Sequence, residues 1–280
     1  MERRAYSPQP ALCRLPAGTA HGARPGPLMR ATERFSSRVG NYARYRPSYA
    51  HGAIALLQGR CGLGPGAVVA DIGSGTGILA RQLLASGALV MAVEPNEEMR
   101  AAAEAQLGGE PSFRSVRGSA EATTLADASV DLLVAGQAFH WFDPEGARRE
   151  ARRVVRAAGW AALLWNERPP EATPFLADYE ALLTRCAAEY GAIKASRADE
   201  ARMRAFFGGA MERATFPNAQ SFDLQGLEGR LMSSSYAPEA GHPQHRPMLE
   251  GLREVFARHA RGGRVEFPYQ TLVYFGRLTS

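Results

Sequence analysis

Residues 68–77 read VVADIGSGTG, a short apolar run that ends in an acid and three glycines at alternate positions. The apolar run predicts a buried strand, which the glycine-rich turn closes. Glycines at this spacing leave the backbone bare just after a strand, so that a ligand can approach the main chain closely. Phosphates, a dinucleotide and a sulfonium cofactor are the three usual ligands of such a turn, and the following residues distinguish among them.

The residues around this stretch predict an α/β fold. Strands alternate with helical patterns between residues 67 and 168, and five near-continuous apolar runs are typical of a parallel sheet covered on both faces. A helix is expected to begin at Asp143 and Pro144 and to run to about Ala158, followed by a fifth strand over 160–167. After residue 168 the alternation stops, and the pattern predicts further helices and two more strands.

Composition excludes several classes of protein. The chain is 45% hydrophobic and 22% charged, as expected for a globular enzyme, and it has no run of eighteen apolar residues that could cross a membrane. Its three cysteines lack the spacing of a metal site and suit a reducing cytoplasm, so no metal is predicted. The net charge of +5 does not favour nucleic acid as a partner, because the basic residues are not interleaved with aromatics. Five arginines are expected to form a solvated helix face: 148, 149, 152, 153 and 156.

The residues after the first glycine indicate which of the three kinds of ligand the turn would bind. A phosphate-binding loop needs a lysine after its glycines, and none follows here. A dinucleotide loop has the pattern G-x-G-x-x-G, whose third glycine position falls on Ile78. The pattern is instead D-x-G-x-G-x-G, which begins at Asp71 and ends at Gly77. This pattern resembles that of class I S-adenosylmethionine-dependent methyltransferases.

An acid at the end of the second predicted strand supports a nucleoside cofactor. Glu94 lies about twenty residues beyond the glycine turn, and a carboxylate there can accept hydrogen bonds from two ribose hydroxyls. The resemblance further implies that Ala120 and Glu121 contact the adenine, and that Gln137 contacts the methionine part of S-adenosylmethionine. The complete set of implied cofactor residues is Asp71, Gly73, Ser74, Gly75, Thr76, Gly77, Glu94, Pro95, Ala120, Glu121, Gln137, Tyr45 and Arg46.

Three further segments narrow the resemblance. The chain is similar to a bacterial and fungal subgroup related to trans-aconitate methyltransferases in FSSRVGNYARYRP (35–47), QAFHWFDPEGARREARRVVRAAGWAALLWNER (137–168) and LEGRLMSSSYAP (227–238). The similarity extends over about 31–278. It implies a cytoplasmic enzyme, a monomer or homodimer, that methylates a small molecule and releases S-adenosylhomocysteine. The implied substrate residues are His140, Trp141, Asn166, Arg230 and Tyr236.

The resemblance also gives an expected domain organisation. It implies a Rossmann-like, seven-stranded, mostly parallel sheet with helices on both faces and a helical cap over the active site. Within a methyltransferase domain at 31–280, we expect an N-terminal cap (31–60), a cofactor-binding core (67–168) and C-terminal strands with a helical substrate cap (169–280). Residues 1–30 are rich in proline, glycine and arginine and are predicted to be a disordered tail, of which the first 28 residues should be dispensable.

The chemistry at His140 has two interpretations. A general base is needed only if the acceptor must lose a proton, and His140 is the best candidate because it follows the fourth strand and histidine is the side chain suited to proton transfer near neutral pH. It could equally be a wall of the substrate pocket, with Arg46 holding a carboxylate. Three other functions are weighed: an NAD(P)-dependent oxidoreductase, an RNA or protein methyltransferase, and a cofactor-binding regulator without turnover. The sequence leaves the acceptor and the methylated atom open.

Overall fold

A computed structural model describes residues 38–197 and 199–278 of the chain. The predicted tail, the first part of the predicted N-terminal cap and the last two residues lie outside the described residues. The described strands are β1 (Val68–Ile72), β2 (Leu89–Val93), β3 (Phe113–Val116), β4 (Val130–Gly136), β5 (Val155–Glu167), β6 (Glu212–Phe222) and β7 (Val265–Gly276). The described α-helices are α1 (Val39–Tyr45), α2 (His51–Cys61), α3 (Ile78–Leu84), α4 (Glu97–Leu107), α5 (Pro144–Val154), α6 (Pro174–Cys186), α7 (Tyr190–Arg197), α8 (Glu200–Phe207), α9 (Leu224–Met232) and α10 (His245–His259).

The described strands form one sheet in the order β3-β2-β1-β4-β5-β7-β6. Strands β1 to β5 pair in parallel, whereas β7 runs antiparallel to both β5 and β6. The predicted fold class, a mostly parallel seven-stranded sheet, is therefore confirmed. Because the strand order reverses between β1 and β4, a crevice opens at the carboxyl ends of these strands, which is where such sheets bind ligands.

Helices cover both faces of the sheet. Helices α2, α3 and α4 bury Leu57, Leu83 and Leu107 on one face, and α5 and α8 bury Val154 and Phe207 on the other. A third apolar cluster joins α6, α9 and α10 to the last two strands. This cluster forms a helical lobe beside the sheet, in the part of the chain where the sequence predicted a cap. No helix of the described ranges is both long and apolar enough to cross a membrane.

The predicted boundary between α5 and β5 is wrong. The helix ends at Val154 rather than near Ala158, and the strand begins at once at Val155. The N–H of Ala128 donates to the carbonyl of Arg153 (2.9 Å), and that of Ser129 donates to the carbonyl of Val154 (2.8 Å), so the chain is drawn into the sheet early. The pairing of β4 with β5 shifts register between Val130 and Leu132, which accommodates the extra residues as a bulge. In consequence Arg156 lies on the strand and pairs with Asp131, instead of extending the arginine face of the helix.

Candidate active site

The glycine turn between β1 and α3 has a left-handed backbone. Gly73, Gly75 and Gly77 have φ angles of +67°, +56° and +83°, which L-residues with side chains rarely adopt. The N–H groups of Gly73 and Ser74 donate to the carbonyl of Val93 (2.8 and 3.2 Å), so the turn is fixed to the end of β2. At Gly75 an added Cβ would meet no protein atom within 4 Å. The turn therefore presents bare backbone to the crevice at this residue.

Glu94 links the end of β2 to the glycine turn. One carboxylate oxygen accepts from the N–H of Gly75 (2.9 Å) and the other from the N–H of Asn96 (2.9 Å). Burial raises the pKa of Glu94, and these two backbone donors oppose the rise. Each oxygen keeps a further lone pair, so Glu94 can still accept hydrogen bonds from a ligand in the crevice.

Asp71 lies deeper, on β1 itself. Its side chain is 1% exposed, and neither carboxylate oxygen has a well-formed hydrogen bond in the described structure. Burial, with repulsion by Glu94 as the second cause, raises the pKa of Asp71 to about 7, and the Ala80 amide opposes this rise only in part. A buried carboxylate in this state is expected to face a cationic group when it is ionised.

The first of two adjoining cavities runs from the glycine turn to the segment after β3. Glu121 forms part of its wall. One oxygen of Glu121 accepts from the N–H of Asp143 (2.9 Å), whereas the other is buried without a hydrogen-bond partner. Eight of the predicted site residues line this cavity: Gly73, Gly75, Glu94, Pro95, Ala120, Glu121, Gln137 and Trp141.

The second cavity adjoins the other side of the glycine turn. It extends from Asp71 towards α1 and α9, and Gly73, Gly75 and Gln137 border both cavities. Gln137 has a left-handed φ of +57°, and its side-chain amide donates to the carbonyl of Asn166 (3.0 Å). Strain of this kind in a residue other than glycine is often found at functional sites. The predicted residues Asp71, Ser74, Arg46, Asn166 and Arg230 line this cavity.

Tyr42, not Tyr45, faces the cavities. Tyr42 lines both of them, whereas the Tyr45 ring occupies the space where a Cβ on Gly229 would lie and packs against α9. The two tyrosines are three residues apart on α1, and the sequence pattern alone did not indicate which one faces the crevice. Tyr45 therefore lines neither cavity, and its contact with the cofactor stays a prediction.

Of the other predicted residues, Trp141 lines the first cavity and four lie outside both cavities. His140 lines neither, and its ring packs on Trp141 with centroids 4.7 Å apart. Trp141, which was expected to face a substrate, lines the first cavity instead. Tyr236 is buried beside Arg168, whose guanidinium donates to its hydroxyl (3.3 Å). Thr76 is buried, and Gly77 packs closely on Leu107, so neither lines a cavity.

The structure adds residues that the sequence had not assigned to the cofactor. Met99 and Phe142 line the first cavity, together with Asn96 and Ser119. They lie in loops and at helix starts, and the sequence pattern does not distinguish them from residues that only pack there. Asn96 has a signal in the sequence of another kind, because asparagine is a favoured helix cap, and here its side chain accepts from the N–H of Met99 (2.8 Å) at the start of α4.

A family model described as "Methyltransferase domain" matches residues 70–163. This range contains the glycine turn, Glu94, Glu121 and Gln137, so the part of the chain that is similar to the domain includes most of the crevice. An uncharacterized methyltransferase of Mycobacterium tuberculosis is 42% identical over 136 residues, which cover 48% of this chain and 52% of that protein. The chain thus aligns with about half the length of its mycobacterial relatives. An uncharacterized methyltransferase of Schizosaccharomyces pombe is 26% identical over 245 residues, 86% of this chain and 95% of that protein.

Solved structures show the same fold at low sequence identity. A candidate type II methyltransferase of Anaeromyxobacter dehalogenans superposes with a TM-score of 0.58 at 21% identity, over 84% of this chain and 98% of that one. The geranyl diphosphate C-methyltransferase of Streptomyces coelicolor, solved with Mg²⁺, geranyl diphosphate and S-adenosyl-L-homocysteine, superposes with a TM-score of 0.50 at 12% identity, over 92% and 100% of the two chains. These similarities establish the architecture and leave the acceptor open.

Proposed function

We propose that this chain is an S-adenosylmethionine-dependent methyltransferase that acts on a small molecule. The observation that carries the proposal is the left-handed glycine turn at the end of β1, bonded through Gly75 to Glu94 at the end of β2. The methyltransferase-domain match over 70–163 supports it. So do the methyltransferase names of the mycobacterial and fission-yeast relatives.

The groups in the crevice fit the cofactor. Glu94 has free lone pairs for ribose hydroxyls, and the unpartnered oxygen of Glu121 can accept from the adenine amino group. The buried carboxylate of Asp71 suits the ammonium of the methionine part. Gly75 leaves room for the cofactor to lie against the backbone.

The chemistry places modest demands on the protein. S-adenosylmethionine supplies a methyl group on a sulfonium, and its transfer to a lone pair of the acceptor leaves a neutral thioether. The chain therefore need not activate the leaving group, and its contribution is to align the acceptor and to exclude water. The second cavity, bordered by α1 and the buried Arg230, is the proposed acceptor pocket.

The sheet disfavours a dinucleotide oxidoreductase. Such enzymes have the strand order 3-2-1-4-5-6 in a parallel sheet, whereas here the antiparallel β7 lies between β5 and β6. An RNA or protein acceptor is best distinguished by experiment. The chain should be incubated with methyl-labelled S-adenosylmethionine and, separately, with the dialysable, RNA and protein fractions of a cell extract. We expect label to enter the dialysable fraction, and label confined to RNA or protein would contradict a small-molecule acceptor.

Asp71 should make cofactor binding depend on pH. A carboxyl whose pKa is raised by folding stabilises the ligand-free fold while it is protonated. This contribution to the free energy of unfolding is lost as the pH rises from the ordinary pKa of an aspartate to about 7. The ionised fraction rises from about 10% near pH 6 to about 90% near pH 8, so S-adenosylhomocysteine should bind about tenfold more tightly at the higher pH. Calorimetry at several pH values measures the affinity of the wild type and of Asp71→Asn for S-adenosylhomocysteine. The variant is the control, because any pH dependence that it keeps comes from titration of the ligand or of other groups. If the affinity depended on pH equally in the two proteins, Asp71 would not be the group that binds the ammonium.

His140→Ala distinguishes the two roles weighed for this histidine. Since His140 lines neither cavity, we expect the maximal rate to change less than about tenfold, against a loss of roughly 10²–10⁴-fold for a general base. The rate should be measured with the acceptor identified from the dialysable fraction, across pH, in both proteins. A large loss of rate with normal cofactor affinity, and loss of the acidic limb of the pH profile, would establish His140 as the base.

A further inference from the structure

Tyr49 is a buried tyrosine whose hydroxyl reaches the wall of the second cavity. The residue is 5% exposed, and its ring belongs to the apolar cluster on the face of the sheet that α2, α3 and α4 cover. It lines the second cavity but not the first. A Cβ on Gly136 would overlap the Tyr49 hydroxyl, so the hydroxyl lies directly against the carboxyl end of β4.

Gly136 marks the place where the two cavities meet. Among the described residues, those that line both cavities are Tyr42, Gly73, Gly75, Gly136 and Gln137. In the proposed function, the methyl group passes between donor and acceptor at this junction, because a direct transfer needs the two reactants in contact. The Tyr49 hydroxyl, which lies against Gly136, is therefore next to the place of transfer.

The backbone of Tyr49 is fixed by side chains from the core of the domain. The side-chain amide of Gln82, on α3, accepts from the N–H of Tyr49 and donates to its carbonyl, both at 2.8 Å. The next residue is fixed as well, because the N–H of Ala50 donates to the hydroxyl of Thr271 on β7 (3.1 Å). A functional side chain needs this kind of support if it is to keep one orientation.

The hydroxyl itself is left available for a ligand. Both backbone groups of Tyr49 are paired, but its hydroxyl forms no hydrogen bond with a residue of 38–197 or 199–278. Burial raises the pKa of Tyr49 well above its ordinary value, and the nearby Tyr42 and Asp71 raise it further. The hydroxyl is therefore neutral near pH 7, which excludes a phenolate base. Its oxygen keeps two lone pairs that can face a cationic group in the cavity.

We propose that the Tyr49 hydroxyl contacts the methyl group of S-adenosylmethionine and directs it towards the acceptor pocket. This inference rests on the proposed function. A methyl group on a sulfonium carries part of the positive charge, so its C–H groups are attracted to an oxygen lone pair. Transfer joins the methyl carbon to a lone pair of the acceptor, and the electron pair of the broken C–S bond stays on sulfur. Tyr49 exchanges no proton in this step, and its contribution is to hold the methyl group in line.

Three ligands that differ at the methyl position test the proposal. S-adenosylmethionine has the methyl sulfonium and S-adenosylhomocysteine has a bare thioether, whereas sinefungin has a protonated amine on a carbon in place of the sulfur. Calorimetry of Tyr49→Phe should show a loss of affinity for sinefungin of about 10- to 100-fold, because the amine would donate to the hydroxyl. The loss should be about 2- to 5-fold for S-adenosylmethionine and less than about twofold for S-adenosylhomocysteine.

Tyr274→Phe is the matched control. Tyr274 is also a buried tyrosine, at 7% exposed, but it packs in the cluster on the opposite face of the sheet and lines neither cavity. This variant should bind all three ligands as the wild type does. Equal losses for the three ligands in Tyr49→Phe would place the contact on a part of the cofactor that they share, and would overturn the proposal. Unchanged affinity for all three would overturn it too.

The wild type alone gives a further test. It should bind sinefungin more tightly than S-adenosylhomocysteine, and equal or weaker binding would overturn the proposal even if Tyr49→Phe failed to fold. If S-adenosylhomocysteine does not bind the wild type, the proposed function fails. If it binds and the three losses in Tyr49→Phe do not differ, only the present inference fails.

Discussion

Alanine at position 75 should weaken the binding of S-adenosylhomocysteine by about 100-fold. Gly75 has a φ of +56°, and no protein atom lies within 4 Å of the place where its Cβ would stand. The methyl group would thus enter the space assigned to the cofactor, and overfilling packed space by one methyl group costs about 1–3 kcal/mol, or up to about 150-fold in affinity. Calorimetry measures the loss of affinity, and thermal unfolding measures the accompanying strain.

Gly66 provides the control for that substitution. It has a φ of +84° and equally open surroundings, but it lies in the turn before β1, at the opposite edge of the sheet from the crevice. Gly66→Ala and Gly75→Ala should each lose about 1–2 kcal/mol of stability to left-handed strain. Only the second should lose cofactor affinity. Similar affinities in the two variants would show that the glycine turn does not contact the cofactor.

Glu94→Ala should weaken binding of the same ligand by about 1–3 kcal/mol, or roughly 5- to 150-fold. The change removes the acceptor proposed for the ribose hydroxyls, and it also leaves the N–H groups of Gly75 and Asn96 without their partner. Glu97→Ala is the matched control, because Glu97 is an exposed acid in the first turn of the following helix. We expect that variant to bind as the wild type does. An equal loss in both variants would point to general electrostatics instead of a ribose contact.

Local patterns explain why so much of the crevice could be predicted from the sequence. The glycine turn needs φ values that only glycine adopts readily, and Asp71 and Glu94 occupy fixed positions relative to the ends of two adjacent parallel strands. Strand ends of a parallel sheet meet at one edge, so residues about twenty positions apart in the sequence were predicted to lie together. The fold class followed from the same alternation of strands and helices.

The remaining features depend on tertiary contacts. The end of α5 is set by hydrogen bonds from Ala128 and Ser129, which lie more than twenty residues away in the sequence. The choice between Tyr42 and Tyr45 depends on how α1 packs against α9, which carries Gly229. The contacts of Arg168 with Tyr190 and Tyr236, and of Arg230 with Tyr269, join distant segments, so no local spacing could have predicted them.

The central claim is that this crevice binds the methyl donor rather than a dinucleotide. Calorimetry of the wild-type chain with S-adenosylhomocysteine and, separately, with NADH tests it most directly. The account predicts saturable one-to-one binding of S-adenosylhomocysteine and no measurable binding of NADH. Tight binding of NADH without affinity for S-adenosylhomocysteine would contradict it.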